Sequence, residues 1–133
     1  VGAILDAVIA NNFVLHNTQW VPAHFHTYNL LGNVFFSLAF ASWFADEIGN
    51  KKIAPTMVKI IFSLLVIGGV GFVLAFYLGG AFSVPRRVDM YNEVVSEGVS
   101  LAQMAVVFAT LYLVGMVIYT FDFTKRCAGQ LFS

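Results

Sequence analysis

The stretch TQWVPAHFHTYNLLGNVFFSLAFASWF, residues 18–44, decides the fold of this chain. It contains no Asp, Glu, Lys or Arg, and it is longer than the roughly 20 residues that an α-helix needs to cross a bilayer. Asn17 or Thr18 can cap the free amides at its start, and Pro22 lies in the first turn, where proline is tolerated. The stretch therefore predicts a transmembrane helix.

Two further apolar stretches, 56–82 and 99–121, are also long enough to cross a membrane as helices. The opening stretch 1–15 is apolar apart from three polar residues, but it is too short to span, so it is interpreted as the end of a preceding helix. The predicted fold class is all-α, with three complete transmembrane helices plus the end of a fourth.

The composition places the protein in a membrane. Of its 133 residues, 59% are hydrophobic and only 11% are charged, and the mean hydropathy is +0.83, far from the balance of a soluble domain. The formal net charge of +0 gives no electrostatic reason to expect a nucleic-acid partner. The single cysteine, Cys127, has no neighbours with metal-ligand or redox-pair spacing, and it is interpreted as incidental.

The cations of the connectors predict an orientation. If the three helices alternate in direction, four cations fall on the same side of the membrane. The positive-inside rule puts this side, with the 45–55 connector and the C-terminal tail, inside the cell. The 83–98 connector then lies outside, where Arg86 and Arg87 oppose the rule and call for an anionic partner. The four cations are Lys51, Lys52, Lys125 and Arg126.

His24 and His26 are the candidate site residues within the first predicted helix. At about 100° per residue their side chains project about 200° apart, so they cannot chelate one metal ion from the same helix face. Two haems, one on each face, would satisfy both imidazoles, and 14 phenylalanines offer apolar walls for the porphyrins. The alternative is that both histidines pack as polar residues bonded to neighbouring helices, as in transporters and channels.

The motif HNTQWVPAHFH, residues 16–26, followed by VPRR, residues 84–87, resembles the main subunit of haem-copper oxidases, and it looks most like the B-type branch. The resemblance covers essentially the whole chain. It implies the end of the ninth helix and then the tenth, eleventh and twelfth helices of a 12-helix bundle, with the histidines on the tenth.

The resemblance also implies a role for each site residue. His24 would be the proximal ligand of the high-spin haem at the oxygen-reducing centre, and His26 an axial ligand of the low-spin haem, with Phe25 between the haems. Arg86 and Arg87 would bind haem propionates, since the planar guanidinium suits carboxylates. The alternative for the arginine pair is a solvated turn after Pro85.

His16 matches a family residue near the propionates of the high-spin haem, in a region linked to proton release and, in other branches, to a magnesium ion. It could equally be an interfacial histidine that caps the connector. Asn17 and Asn12 stand where relatives often have aspartates, which puts magnesium binding and a carboxylate pair for proton loading in doubt.

The resemblance implies a copper ion ligated outside this segment, because three further histidines are needed and only His16 remains. The chain begins at Val1, and we expect it to complete a larger subunit in the plasma membrane of a prokaryote. The expected function is reduction of oxygen to water, coupled to proton uptake or pumping.

The expected partners are the remainder of subunit I, a subunit II-like protein, membrane lipid, and a cytochrome, cupredoxin or quinol donor. Nitric oxide reduction is the alternative within the superfamily. A bis-haem or transport subunit without catalysis is the alternative from another class.

Overall fold

The computed structural model describes residue 4 and residues 7–49, 52–86 and 96–131. Every regular element among these residues is a helix, which confirms the all-α class. We label them α1 (Ile9–Leu15), α2 (Trp20–His26), a π-helical segment (Thr27–Asn33), α3 (Val34–Gly49), α4 (Pro55–Ala81) and α5 (Ser96–Leu131).

Among the described residues, two helices are long and apolar enough to cross a membrane. They are α4 and Gly98–Ala128 of α5. The sequence predicted 56–82 and 99–121 for these regions. The predicted helix 18–44 is divided: α2, the π-helical segment and α3 follow one another directly from Trp20. The count of three complete membrane helices and the 12-helix bundle remain predictions.

Side-chain hydrogen bonds accompany the π-helical segment. The Thr27 hydroxyl donates to the Ala23 carbonyl at 2.8 Å, and the Asn29 side-chain amide donates to the Phe25 carbonyl at 3.0 Å. Such donors compete with backbone amides for the carbonyls of the preceding turn, and a wider helix accommodates the competition. The helix therefore changes its register immediately after His26.

Two helices continue beyond their predicted boundaries, and ion pairs of Arg126 join their ends. The Arg126 side chain, only 4% exposed, donates to Asp46 at 2.6 Å and to Asp122 at 2.8 Å. Asp46 lies in the predicted 45–55 connector, but it belongs to α3, which continues to Gly49. Arg126 lies in the predicted polar tail, but α5 continues to Leu131. Pairing the charges lets both helices extend with their polar ends attached to each other.

The core lies where α4 packs against α5. Its buried members, and the partly buried residues around them, come from α3, α4, α5, the π-helical segment and, for Ile53, the connector before α4. Gly68 permits a close approach of the two backbones, because a Cβ there would lie 2.6 Å from the Tyr112 nitrogen and 2.8 Å from the Phe108 carbonyl oxygen. Small residues let helix backbones approach in membranes, where van der Waals packing drives association. The buried core residues are Ile61, Leu65, Tyr112 and Tyr119.

Two core tyrosines also attach the π-helical segment and α3 to α5. The Tyr112 hydroxyl of α5 donates to the Leu30 carbonyl at 3.0 Å, and the Tyr119 hydroxyl donates to the Leu38 carbonyl at 3.0 Å. Each bond pairs a buried polar group inside an apolar bundle, where an unpaired group would be costly. The two tyrosines therefore attach the histidine-bearing part of the chain to α5.

Candidate functional site

The site is built on the end of α4. Ser83, after the last turn, has a φ of 57°, in the left-handed region. Its amide donates to the Gly80 carbonyl at 3.0 Å, and the next amide, of Val84, donates to the Gly79 carbonyl at 2.8 Å. This pair of bonds is the Schellman motif, which closes a helix and turns the chain sharply. Val84 is 1% exposed, so the turn is anchored in the interior.

The turn pairs with the residues that precede α2. The Gln19 backbone amide donates to the Val84 backbone carbonyl at 2.9 Å, and the Arg86 backbone amide donates to the Asn17 backbone carbonyl at 2.9 Å. Thr18 and Pro85 form the antiparallel bridge between the two segments. The pairing places the Arg86 backbone beside Asn17, three residues before α2 begins at Trp20 and seven residues before His24.

Two glycines at the end of α4 make this approach possible. A Cβ at Gly80 would overlap the backbone of Trp20, and a Cβ at Gly79 would overlap the side-chain amide of Gln19. The rings of Trp20 and Tyr77 meet edge to face, with centroids 4.6 Å apart. The start of α2 therefore lies directly against α4.

His26 faces α4. Its ring centroid lies 5.2 Å from that of Phe72 and 6.2 Å from that of Phe76, and the side chain is half-buried. At the residue of α4 that follows Phe76, the Tyr77 hydroxyl accepts a hydrogen bond of 3.2 Å from the Thr27 hydroxyl. The surroundings of this imidazole are aromatic and nearly apolar, the setting in which a neutral imidazole can serve as a metal ligand.

His24 faces a different neighbour. Its half-buried ring meets Tyr28 of the same helical run edge to face, with centroids 4.9 Å apart. Phe25, between the two histidines, is 60% exposed. The three consecutive residues lie within one turn of α2, and the two imidazoles meet separate neighbours, as the i, i+2 spacing requires.

His16 lies at the end of α1, on the same side of the bundle as Arg86. It is exposed, and its amide donates to the Asn12 carbonyl at 2.9 Å. With Asn12, Asn17 and two apolar residues it lines an open cavity of about 470 Å³. His16 directly precedes Asn17, whose backbone carbonyl accepts a hydrogen bond from the Arg86 backbone amide. The two candidate residues His16 and Arg86 therefore lie beside the same hydrogen bond.

Arg87, the other arginine of the predicted pair, lies outside the described residues, as do Lys51 and most of the predicted 83–98 connector. In the part of the chain that the structure describes, no three or more His, Cys, Asp or Glu side chains form a group that could hold a metal ion. Each histidine of α2 could therefore supply one ligand, with any further ligands coming from a prosthetic group or another segment.

A comparison with known families decides the identity. The profile of the family described as "Cytochrome C and Quinol oxidase polypeptide I" matches residues 1–118. The chain belongs to this family. The match covers α1 to α4 and most of α5, including all the candidate site residues.

Two relatives of the oxidase family are similar over most of this chain. "Cytochrome c oxidase subunit 1" of Bacillus subtilis is 30% identical over 121 residues, which cover 89% of this chain and 19% of that protein. "Cytochrome c oxidase subunit 1" of Thermus thermophilus is 27% identical over 117 residues, covering 83% and 20%. The chain spans about one fifth of the length of these relatives. No solved structure matches it significantly.

Sequence reasoning missed the aromatic residues around His26. Phe72 and Phe76 are one turn apart on α4, so their spacing indicates a shared face. Nothing in the sequence paired that face with α2, because the pairing depends on the turn at Ser83 and on the close approach at Gly80. Tyr28 was missed as well, and in the structure its ring packs on His24.

Proposed function

We propose that this chain is the haem-binding part of a terminal oxidase that reduces oxygen to water. His24 is the proximal ligand of the high-spin haem, and His26 is an axial ligand of the low-spin haem. The observation that carries the proposal is the pair of half-buried imidazoles, two residues apart, whose rings face different neighbours in an aromatic environment. Membership of the oxidase family supports it.

The residues present fit two haems by the chemistry of their donors. Each imidazole offers one nitrogen as a ligand, and the other can donate to a nearby acceptor that holds the ring in orientation. Phe72 and Phe76 give His26 an apolar neighbourhood on the side of α4, and the exposed Phe25 offers an apolar surface between the two haem positions. When bound, the haems supply electron transfer and the reaction with oxygen.

Arg86 and Arg87 bind the haem propionates in this proposal, and His16 lies near those of the high-spin haem. The support is the backbone pairing that holds Arg86 against Asn17, just before the helical run that carries His24. An arginine can bind a carboxylate with two parallel hydrogen bonds, which fixes the carboxylate's orientation as well as its charge. The backbone pairing before α2 and the helix itself thus hold the arginine and the iron ligands in one part of the bundle.

The finer expectations belong to the same proposal. The copper ion is ligated by the remainder of subunit I, electrons arrive through a subunit II-like partner from a cytochrome, cupredoxin or quinol, and the reaction is coupled to proton uptake or pumping. The subunit lies in a prokaryotic plasma membrane, with the 45–55 connector and the C-terminal tail inside. It belongs to the B-type branch.

Haem stoichiometry in the complete subunit tests the proposal. We expect two haems per subunit in the wild type, one in His24→Ala and one in His26→Ala, measured from the pyridine haemochrome spectrum and protein concentration. Thr120→Ala is the control and retains both haems, because that side chain is exposed on α5 and its hydroxyl donates within its own helix. Two haems in both α2 variants would contradict the assignment.

A further inference from the structure

The helical run that carries the histidines contains one residue more than a continuous α-helix would need. The π-helical segment follows directly after His26, which is its N-cap. In an α-helix each amide donates to the carbonyl four residues back, whereas in a π-helix it donates five residues back, so the π-helical segment inserts one residue. The Val34 amide shows this pairing, because it donates to the Asn29 carbonyl. The insertion therefore lies between His26 and α3.

The return to α-helical pairing leaves one carbonyl over. The Val34 amide donates to the Asn29 carbonyl, and from α3 onward each amide again donates four residues back. The first amide after Val34 therefore donates to the residue that follows Leu30, and the Leu30 carbonyl receives no amide from its own helix. The Tyr112 hydroxyl of α5 donates to this carbonyl at 3.0 Å. A side chain of another helix thus supplies the donor that the change of register removes.

Tyr112 reaches the π-helical segment beside Gly69 of α4. The tyrosine is buried, with 9% of its surface exposed. Gly69 leaves space for it, since a Cβ there would lie 3.2 Å from the Tyr112 ring and 2.8 Å from the Leu31 side chain. An unpaired carbonyl in this apolar core would be costly, so the hydroxyl stabilises the segment that contains the extra residue.

The extra residue determines the direction in which His26 points. Each residue of an α-helix turns the chain by about 100°, so without the insertion the side chains before it would rotate by about 100° relative to α3. A rotation of this size would turn His26 away from α4, where its ring centroid now lies 5.2 Å from that of Phe72. The start of α2 is held separately, by the bond from the Gln19 amide to the Val84 carbonyl. The π-helical segment therefore joins two parts of the run whose orientations are fixed independently.

We propose that Tyr112 is a positioning residue for His26, the axial ligand of the low-spin haem. Its hydroxyl pairs the Leu30 carbonyl, this pairing stabilises the extra residue, and the extra residue sets the orientation of the imidazole. The inference rests on the role that the proposed function gives to His26.

The electron paramagnetic resonance (EPR) signal of the low-spin haem in the complete oxidised oxidase tests this role. The g values of such a haem depend on how the planes of its axial imidazoles are oriented. Tyr112→Phe removes only the hydroxyl, and both haems remain bound. We expect the low-spin signal to shift or to divide into two, since an unpaired buried carbonyl changes the balance between π-helical and α-helical pairing by about 5- to 150-fold.

Tyr119→Phe is the matched control. Tyr119 is also buried on α5, and it donates to the Leu38 carbonyl at the same distance of 3.0 Å. Leu38 lies inside α3, where its carbonyl is also paired with the amide four residues on, so loss of this hydroxyl leaves no carbonyl of that turn unpaired. We therefore expect the wild-type EPR signal in Tyr119→Phe. The same signal in both variants, whether shifted or unshifted, would overturn the inference.

Deletion of Gly32 provides a second test. Gly32 lies in the π-helical segment, and a Cβ there would meet no atom within 4 Å. With one residue fewer, the segment can pair as an α-helix while both of its ends keep their orientation, and the Leu30 carbonyl then receives a backbone amide. We expect Tyr112→Phe to leave the low-spin signal of the deletion variant unchanged. An equal shift with and without Gly32 would contradict a role through the extra residue.

The histidine variants separate this inference from the proposed function. If His26→Ala retained both haems, the assignment of the ligand itself would be wrong. If His26→Ala lost one haem while Tyr112→Phe and Tyr119→Phe gave the same EPR signal, the role of Tyr112 alone would be wrong.

Discussion

Gly68→Ala tests the packing that holds the histidine-bearing helix in place. The added Cβ would lie 2.6 Å from the Tyr112 nitrogen and 2.8 Å from the Phe108 carbonyl oxygen, both backbone atoms that cannot rotate away. Restoring ordinary contact separates α4 from α5 by roughly 1 Å. Such overpacking costs about 1–3 kcal/mol.

Two smaller contributions accompany the overpacking. Alanine favours the helix by roughly 1 kcal/mol over glycine. The displacement of Tyr112 also weakens its 3.0 Å bond to the Leu30 carbonyl, which costs about 1 kcal/mol. The two offset each other, and we expect the free energy of unfolding to fall by about 1–3 kcal/mol.

The assay is an SDS titration of the complete subunit in mixed micelles, with Gly115→Ala as the matched control. A Cβ at Gly115 would lie 3.1 Å from atoms of Leu64 and Leu65, which are side chains able to yield by a few tenths of an ångström. We therefore expect Gly115→Ala to lie within about 0.5 kcal/mol of the wild type. If both variants had the same effect, or Gly68→Ala were neutral, backbone contact at Gly68 would not determine the packing.

Three further changes probe the ion pair, the turn and the arginine. Asp46→Ala removes one of the carboxylates on buried Arg126 and lowers the free energy of unfolding by about 1–3 kcal/mol; an unchanged SDS midpoint would exclude a stabilising pair. Ser83→Gly relieves the positive φ and raises the same free energy by about 1 kcal/mol, whereas destabilisation would contradict the Schellman turn. Arg86→Gln weakens haem retention by at least about tenfold in dilution assays, because charged hydrogen bonds contribute about 1.5–3 kcal/mol; unaltered retention would argue against propionate binding.

The apolar stretches predicted where α4 lies because hydropathy alone decides whether a segment favours a membrane. The ends of α3 and α5 could not be predicted in this way. Both depend on the bond between Asp46 and Arg126, which are 80 residues apart, and each side chain alone resembles part of a polar connector. The change of register after His26 depends on where the Thr27 and Asn29 side chains place their hydrogen bonds, which composition does not reveal.

The site was predictable as far as the geometry of one helix determines it. The spacing of His24 and His26 required opposite directions, and their rings have different neighbours. The contacts of Phe72 and Phe76 with His26, and the position of Arg86, could not be predicted, since both depend on how the end of α4 packs against the start of α2. That packing requires Gly79, Gly80 and the left-handed turn at Ser83. The sequence does not reveal which residues these contact.

The most direct measurement of the central claim is the optical spectrum of the two histidine variants in the complete oxidase. The account predicts that His26→Ala loses the low-spin haem band and keeps carbon monoxide binding, whereas His24→Ala loses carbon monoxide binding and keeps the low-spin band. A spectrum unchanged in both variants, or the same band lost in both, would contradict the assignment of one histidine to each haem.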